Sequence, residues 1–317
     1  MRYMNLQLFA AGDNNDQAAR SYSKSFKELL QAVFEQKSYF GDFFAGGLEA
    51  LDGITNKKAF SVKTSDVACV ITTGVVGTTG AAYNTGGAIA FGNGTGNTTR
   101  FGNRTEVIYS DTEVPYTWDW VIHEGIDRHT VNAEFEATVA DRLELQAQKK
   151  VAMFNAKHAA FISANAGQTI QSEATIAETF NKLHKHFVNY GVAGTLYAKV
   201  TPDVYAAIVD SGLMTTSKGG DVSENDQVVN KFKGFIIEEV PESLFAAGEC
   251  IYAYAGNVGK AFTGIETART IESEDFDGVA LQGAGKAGEW ILNDNKKAVV
   301  KVTVGGATGA TGETGAA

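Results

Sequence analysis

Few side chains in this 317-residue chain have the type and spacing that chemistry needs. His123 and His129, in the run HEGIDRH, stand six apart, whereas a zinc-protease helix needs two histidines four apart facing one metal. His184 and His186 stand two apart on an expected helix, so their imidazoles point to different sides and read as solvated histidines. GVALQGAGKAG, residues 278–288, looks like a phosphate-binding loop, but Ala280 and Ala287 replace the glycine and the magnesium-binding hydroxyl such a loop requires. It reads as a turn between strands. Glu134, Glu136, Asp141 and Glu144 share one stretch with Arg142, Lys149 and Lys150, the pattern of a solvated, salt-bridged helix face. Cys69 and Cys250 lie in separate apolar runs, with no spacing that forces a bridge, and read as buried free thiols. No G-x-S-x-G and no C-x-x-C occur, so no catalytic, cofactor-binding or metal-binding residue is expected.

The elements that would position such groups are more informative. A helical stripe over 16–37 carries Phe26, Leu29, Leu30, Val33 and Phe34, followed by the aromatic cluster YFGDFF around Phe40. Residues 59–71 and 106–122 read as strands, the second alternating through Val114, Tyr116, Trp118, Trp120 and Ile122. Between them run more than thirty residues dominated by Gly, Thr and Asn, a length uncommon in a compact domain and usually either functional or disordered. A hairpin tipped by that loop is expected to project and to expose its aromatics.

From about Asp127 to Asn165, Val131, Phe135, Val139, Leu143, Ala147 and Val151 recur every fourth residue without proline or glycine. That predicts one long helix, roughly 55–60 Å at 1.5 Å per residue. Alternating helices and strands follow over 170–256, with Pro202 opening a helix after Thr201 and a polar loop near Leu213 and Met214. Strands expected over 260–304 return to pack beneath the long helix, and the tail GGATGATGETGAA is expected to be disordered. The fold class is α+β.

A net charge of −10 and a pI near 5.1 argue against a surface built to hold phosphate backbones. No apolar run approaches the roughly 20 residues of a membrane span, and no secretory leader is visible, which predicts a cytoplasmic origin.

Three stretches, taken with this element order, resemble the major capsid proteins of tailed bacteriophages of the Hong Kong type. They are MNLQLFA at 4–10, YTWDWVIHEGIDRHTVN at 116–132 and FDGVALQGAGKAGEWILNDNKKAVVKVTV at 276–304. The resemblance implies an N-terminal arm over 1–51 and an extended hairpin loop over 52–122. It implies a peripheral domain with its spine helix over 123–169 and 257–304, an axial domain over 170–256, and a tail over 305–317. It implies self-assembly into hexamers and pentamers of an icosahedral head, with a separate scaffolding protein, a portal protein, and packaged double-stranded DNA held without sequence recognition. Such a subunit is a virion component assembled in the host cytoplasm and has no membrane partner. Intersubunit contacts are expected at Phe26, Phe34, Phe40, Tyr116, Trp118, Trp120, Leu213 and Met214. Some relatives cross-link covalently through Lys and Asn; Lys57, Lys58 and Asn293 match only by type and are not expected to do so. An encapsulin-type compartment shell is one rival reading, and a metabolic α/β enzyme a second.

Overall fold

The computed structural model describes residues 37–51, 57–65, 69, 107–131, 135–211, 221–223, 228–264 and 266–304. It divides into two compact units, one formed by Met1–Asp52 with Tyr116–Ala317 and the other by Gly53–Pro115. Phe26, Phe34, Leu213, Met214 and the tail after Val304 lie outside the described residues.

The larger unit holds two sheets. In the first, β1 (Phe44–Ala50) runs parallel to β11 (Gly259–Thr263). The long β13 (Gly278–Ile291) takes β11 and β12 (Thr267–Glu272) on one edge and β4 (Trp118–Asp127) on the other. Gly46 and Gly47, at φ of 78° and 69°, make the register shift that lets β1 continue past them.

The second sheet has seven strands, in the order β5 (Gln168–Gln171), β14 (Val299–Thr303), β10 (Glu249–Ala255), β6 (Leu196–Val200), β9 (Phe235–Glu239), β8 (Val228–Phe232) and β7 (Asp221–Ser223). Its middle strands are apolar on both faces, as a sheet covered on both sides must be. One face packs against α2 (Ile176–Asn189) and α3 (Pro202–Asp210), whose Phe180, Leu183, Phe187 and Ile208 meet Ala198, Phe235, Ile251 and Val300. The Thr175 side chain caps α2 by accepting from the Glu178 amide at 3.3 Å. On the other face Tyr252, Tyr254 and Val299 meet Phe40, Phe43, Ala159 and Ile162. Val299 of β14 thus lies beneath the end of the long helix, while β14 fills the gap between β5 and β10, where Val300 and Val302 are fully buried.

The long helix α1 (Phe135–Ala164) has 30 residues and spans about 45 Å. It begins later than its periodicity predicts because β4 persists to Asp127, and Asp127 then caps a short 3-10 turn at Arg128–Thr130 by accepting from the His129 amide at 2.9 Å. Of the five buried residues of α1, four (Asn155, His158, Ala159 and Ile162) lie in its last ten. The C-terminal part is therefore embedded, and the first half lies above the first sheet over a cavity of about 290 Å³ lined by Trp120, Leu143, Ala147 and Leu281.

The smaller unit is represented by the hairpin β2 (Lys58–Thr64) and β3 (Ser110–Pro115), closed by a Thr64–Thr112 hydroxyl contact of 2.9 Å and a Lys58–Glu113 ion pair. The sequence merges β3 and β4 into one strand of this hairpin. Pro115 interrupts the run, and after it the chain pairs with β13 instead.

Candidate functional site

The groups with chemical potential are consumed by structure. Glu289 on β13 is 6% exposed and accepts from the Trp118 indole at 3.1 Å and the Thr117 hydroxyl at 3.4 Å, and it meets His158 Nδ1 of α1 at 3.0 Å. The His158 ring lies 4.5 Å from that of Phe44. This buried acid therefore ties α1, β4 and β13 together with its oxygens turned toward protein donors. Glu249 is similarly enclosed by Lys301, Tyr252 and Ser163 at 2.7–2.9 Å. Burial pulls its carboxyl pKa up, but those three donors outweigh that and hold it below the ordinary value. Burial likewise raises the Tyr252 phenol, and it pushes the Cys250 thiol up to about 11, so neither is a ready nucleophile at neutral pH.

No group of three His, Cys, Asp or Glu among the described residues converges as metal ligands would. His123 Nε2 lies 3.4 Å from the Gln282 amide, and His186 Nε2 meets the Lys297 carbonyl at 2.9 Å. The cysteines are free, and Cys69 is exposed, contrary to the buried thiol its apolar neighbours suggest. The basic residues of α1 reach outside the helix: Arg142 meets Glu124 of β4 at 2.6 Å and Lys150 pairs with Glu266, while Asp141 is buried.

GVALQGAGKAG is not a turn. It lies wholly within β13, and its first ten residues, Gly278–Ala287, pair residue for residue with β4. Its glycines make room for rings from neighbouring strands: a Cβ at Gly285 would stand 2.7 Å from the Trp120 indole, and one at Gly288 would stand 2.7 Å from Phe262. Lys150 completes this layer, 4.3 Å above the Trp120 ring.

Of the aromatics expected at an interface, Phe40 and Trp120 are buried in the single chain and Tyr116 and Trp118 are half-buried. Phe40 is fully buried and Trp120 is 8% exposed. Trp118 is engaged by Glu289 and by Phe154 at 5.0 Å. Tyr116 donates to the Leu51 carbonyl at 3.1 Å and packs on Phe262. The exposed apolar residues are others. Strand alternation turns Trp118, Trp120 and Ile122 toward α1, and it sends Val121, His123 and Gly125 of β4 to the opposite face. Gln282 and Ala284 of β13 and Arg269 and Ile271 of β12 join them there. No described helix covers that face, and Val121 is 75% exposed. In the smaller unit, Val107, Ile108 and Tyr109, just before β3, are 50%, 66% and 66% exposed. The alternation of 114–122 already marks Val121 as the apolar residue on the wrong face, whereas Val107–Tyr109 is obscured by its polar surroundings.

No protein-family model matches the sequence, and no curated protein matches it significantly. Solved structures do. The cyanophage P-SCSP1u capsid superposes with a TM-score of 0.62 at 10% identity, over 94% of this chain and 93% of that one. The mature capsid of bacteriophage PhiM1 gives 0.58 at 11% identity over 94% and 91%, and the capsid of Ralstonia phage GP4 gives 0.56 at 10% over 94% and 97%. The chain has the fold of tailed-phage major capsid proteins.

The Glu289 centre pins α1, β4 and β13 together, and the Glu249 centre pins α1 to β10 and β14. No described helix is long and apolar enough to cross a membrane.

Proposed function

We propose that this chain is the major capsid protein of a tailed phage, assembling into hexamers and pentamers of an icosahedral head around double-stranded DNA. The observation that carries the reading is the face of the first sheet that no described helix covers, in a molecule with a capsid fold. A lone subunit gains nothing by presenting Val121 and Ile271 to water on a flat, small-residue surface, whereas a neighbour seated there buries both. The Val107–Tyr109 run, three exposed β-forming residues on the hairpin unit, is a fitting counterpart on the adjoining copy. Subunits would close through repeated heterologous contacts, aided by a separate scaffolding protein and a portal. The acidic chain would leave the packaged DNA unbound by sequence. The enclosed acids argue for a structural and not a catalytic role.

Val121→Asp tests this directly. At an exposed position its effect on folding should stay within about 0.5 kcal/mol. The wild-type chain, expressed with its scaffold, should give shells or rings by negative-stain microscopy, and the variant should remain as folded subunits. A variant that assembles as well as wild type would remove the open face from the interface, and a wild type that stays monomeric with its scaffold would end the capsid reading. Closed shells that hold protein in place of DNA would favour an encapsulin-type compartment.

A further inference from the structure

The segment 37–43 crosses the seven-stranded sheet as a strap with two different halves. Phe40 and Phe43 are fully buried against Tyr254, Ala159 and Ile162. The rest is polar. Lys37 pairs with Glu238 of β9 at 2.6 Å, and its carbonyl accepts from the Asn155 side chain of α1 at 2.7 Å. The Tyr39 amide donates to Asn155 Oδ1 at 3.1 Å. Asp42 accepts from the Tyr254 hydroxyl at 2.8 Å and pairs with Lys199 of β6 at 2.8 Å. Lys199 is only 1% exposed, and it also pairs with Glu238.

We infer that the strap is a charge-set latch: its phenylalanines stay plugged, while the buried Lys199 ammonium, shared between Asp42 and Glu238, determines whether residues 37–39 stay fastened to α1 and β9. The groups that face one another are Lys37, Tyr39 and Asp42 of the strap, Tyr197 and Lys199 of β6, Glu238 of β9 and Tyr254 of β10, while α1 contributes the neutral Asn155. Two ammonium groups balance two carboxylates. A buried pair that loses one partner leaves an uncompensated charge, and here that charge would sit directly beneath the strap. The inference does not depend on the shell reading.

The latch is also acid-sensitive. Burial pulls the Glu238 carboxyl pKa up, but hydrogen bonds from Lys199 and Lys37 bring it below its ordinary 4.5. A depressed carboxylate stabilises the folded arrangement above its ordinary pKa and loses that contribution as the pH falls through the lowered value. The strap should therefore be fastened at neutral pH and loosen only in strong acid, where Lys37 and Lys199 face each other without Glu238 between them.

Residue-resolved hydrogen exchange of the full chain at neutral pH tests it. In Lys199→Met, the Tyr39 amide should exchange about tenfold faster than in wild type while the Ala253 amide of β10 changes less than twofold, and Lys199→Arg should restore most of the protection. Unchanged Tyr39 exchange, or an equal rise at both amides, would overturn the latch. Should Lys199→Met not fold, Glu238→Gln removes one counter-charge at constant shape. A roughly threefold rise confined to Tyr39 then supports the latch, and no rise sinks it.

Discussion

The two sheets of the larger unit reach stability by different routes. The seven-stranded sheet is enclosed by its own chain: α2 and α3 cover one face, and the strap with the end of α1 covers the other. Its strand β10 is buried in six of seven positions. The first sheet is covered on one face by half of a helix and two tryptophans, and no described helix covers the other. The first is a finished core. The second is half a core among the described residues, and the difference shows which sheet is closed by its own helices and which is not.

Three substitutions sharpen that contrast. Phe235→Ala empties a fully buried position between Phe180 and Phe187. It should reduce unfolding free energy by about 3–5 kcal/mol in denaturant titration. Gly285→Val in the half-covered sheet should cost less, about 1–3 kcal/mol. The new side chain displaces Trp120, so its signature is a shift in tryptophan emission that accompanies the loss. If Gly285→Val proved as damaging as Phe235→Ala, the two sheets would not differ in kind. Arg142→Gln removes the largely exposed pair that holds the first half of α1 to Glu124, whose carboxyl is held below its ordinary pKa chiefly by the Arg142 hydrogen bond. About 0.2–1 kcal/mol should be lost, and most of that difference should vanish in high salt.

Periodicity made the long helix and the α/β alternation legible, because both patterns are local and each buries one face. Composition was a poor guide to burial and pairing in two places. Tyr116, Trp118 and Trp120 read as interface anchors because large aromatics on a strand suggest an exposed patch. Only the pairing of β4 with β13, across the chain, reveals the glycines that receive Trp120. For the same reason GVALQGAGKAG read as a turn: a glycine-rich strand is recognisable only once its neighbours supply the missing side chains. The Lys199 cluster had no local signal at all, since Asp42, Lys199 and Glu238 come from three distant segments. The resemblance carried the global order that no single window could.

The pairing of distant strands also sets an order in time. Asp127 of β4 meets Gly278, and Phe44 of β1 meets Gly259, so both early strands wait for partners about 150 and 215 residues later in synthesis. At ~5–20 residues per second, that wait is on the order of ten seconds or more on the ribosome. The face turned away from α1 is built from β4, β12 and β13 together, so it cannot exist until β13 has been made. Until then Trp120 has no glycine row to lie against, and the aromatics of β4 must wait in the open or in a provisional contact.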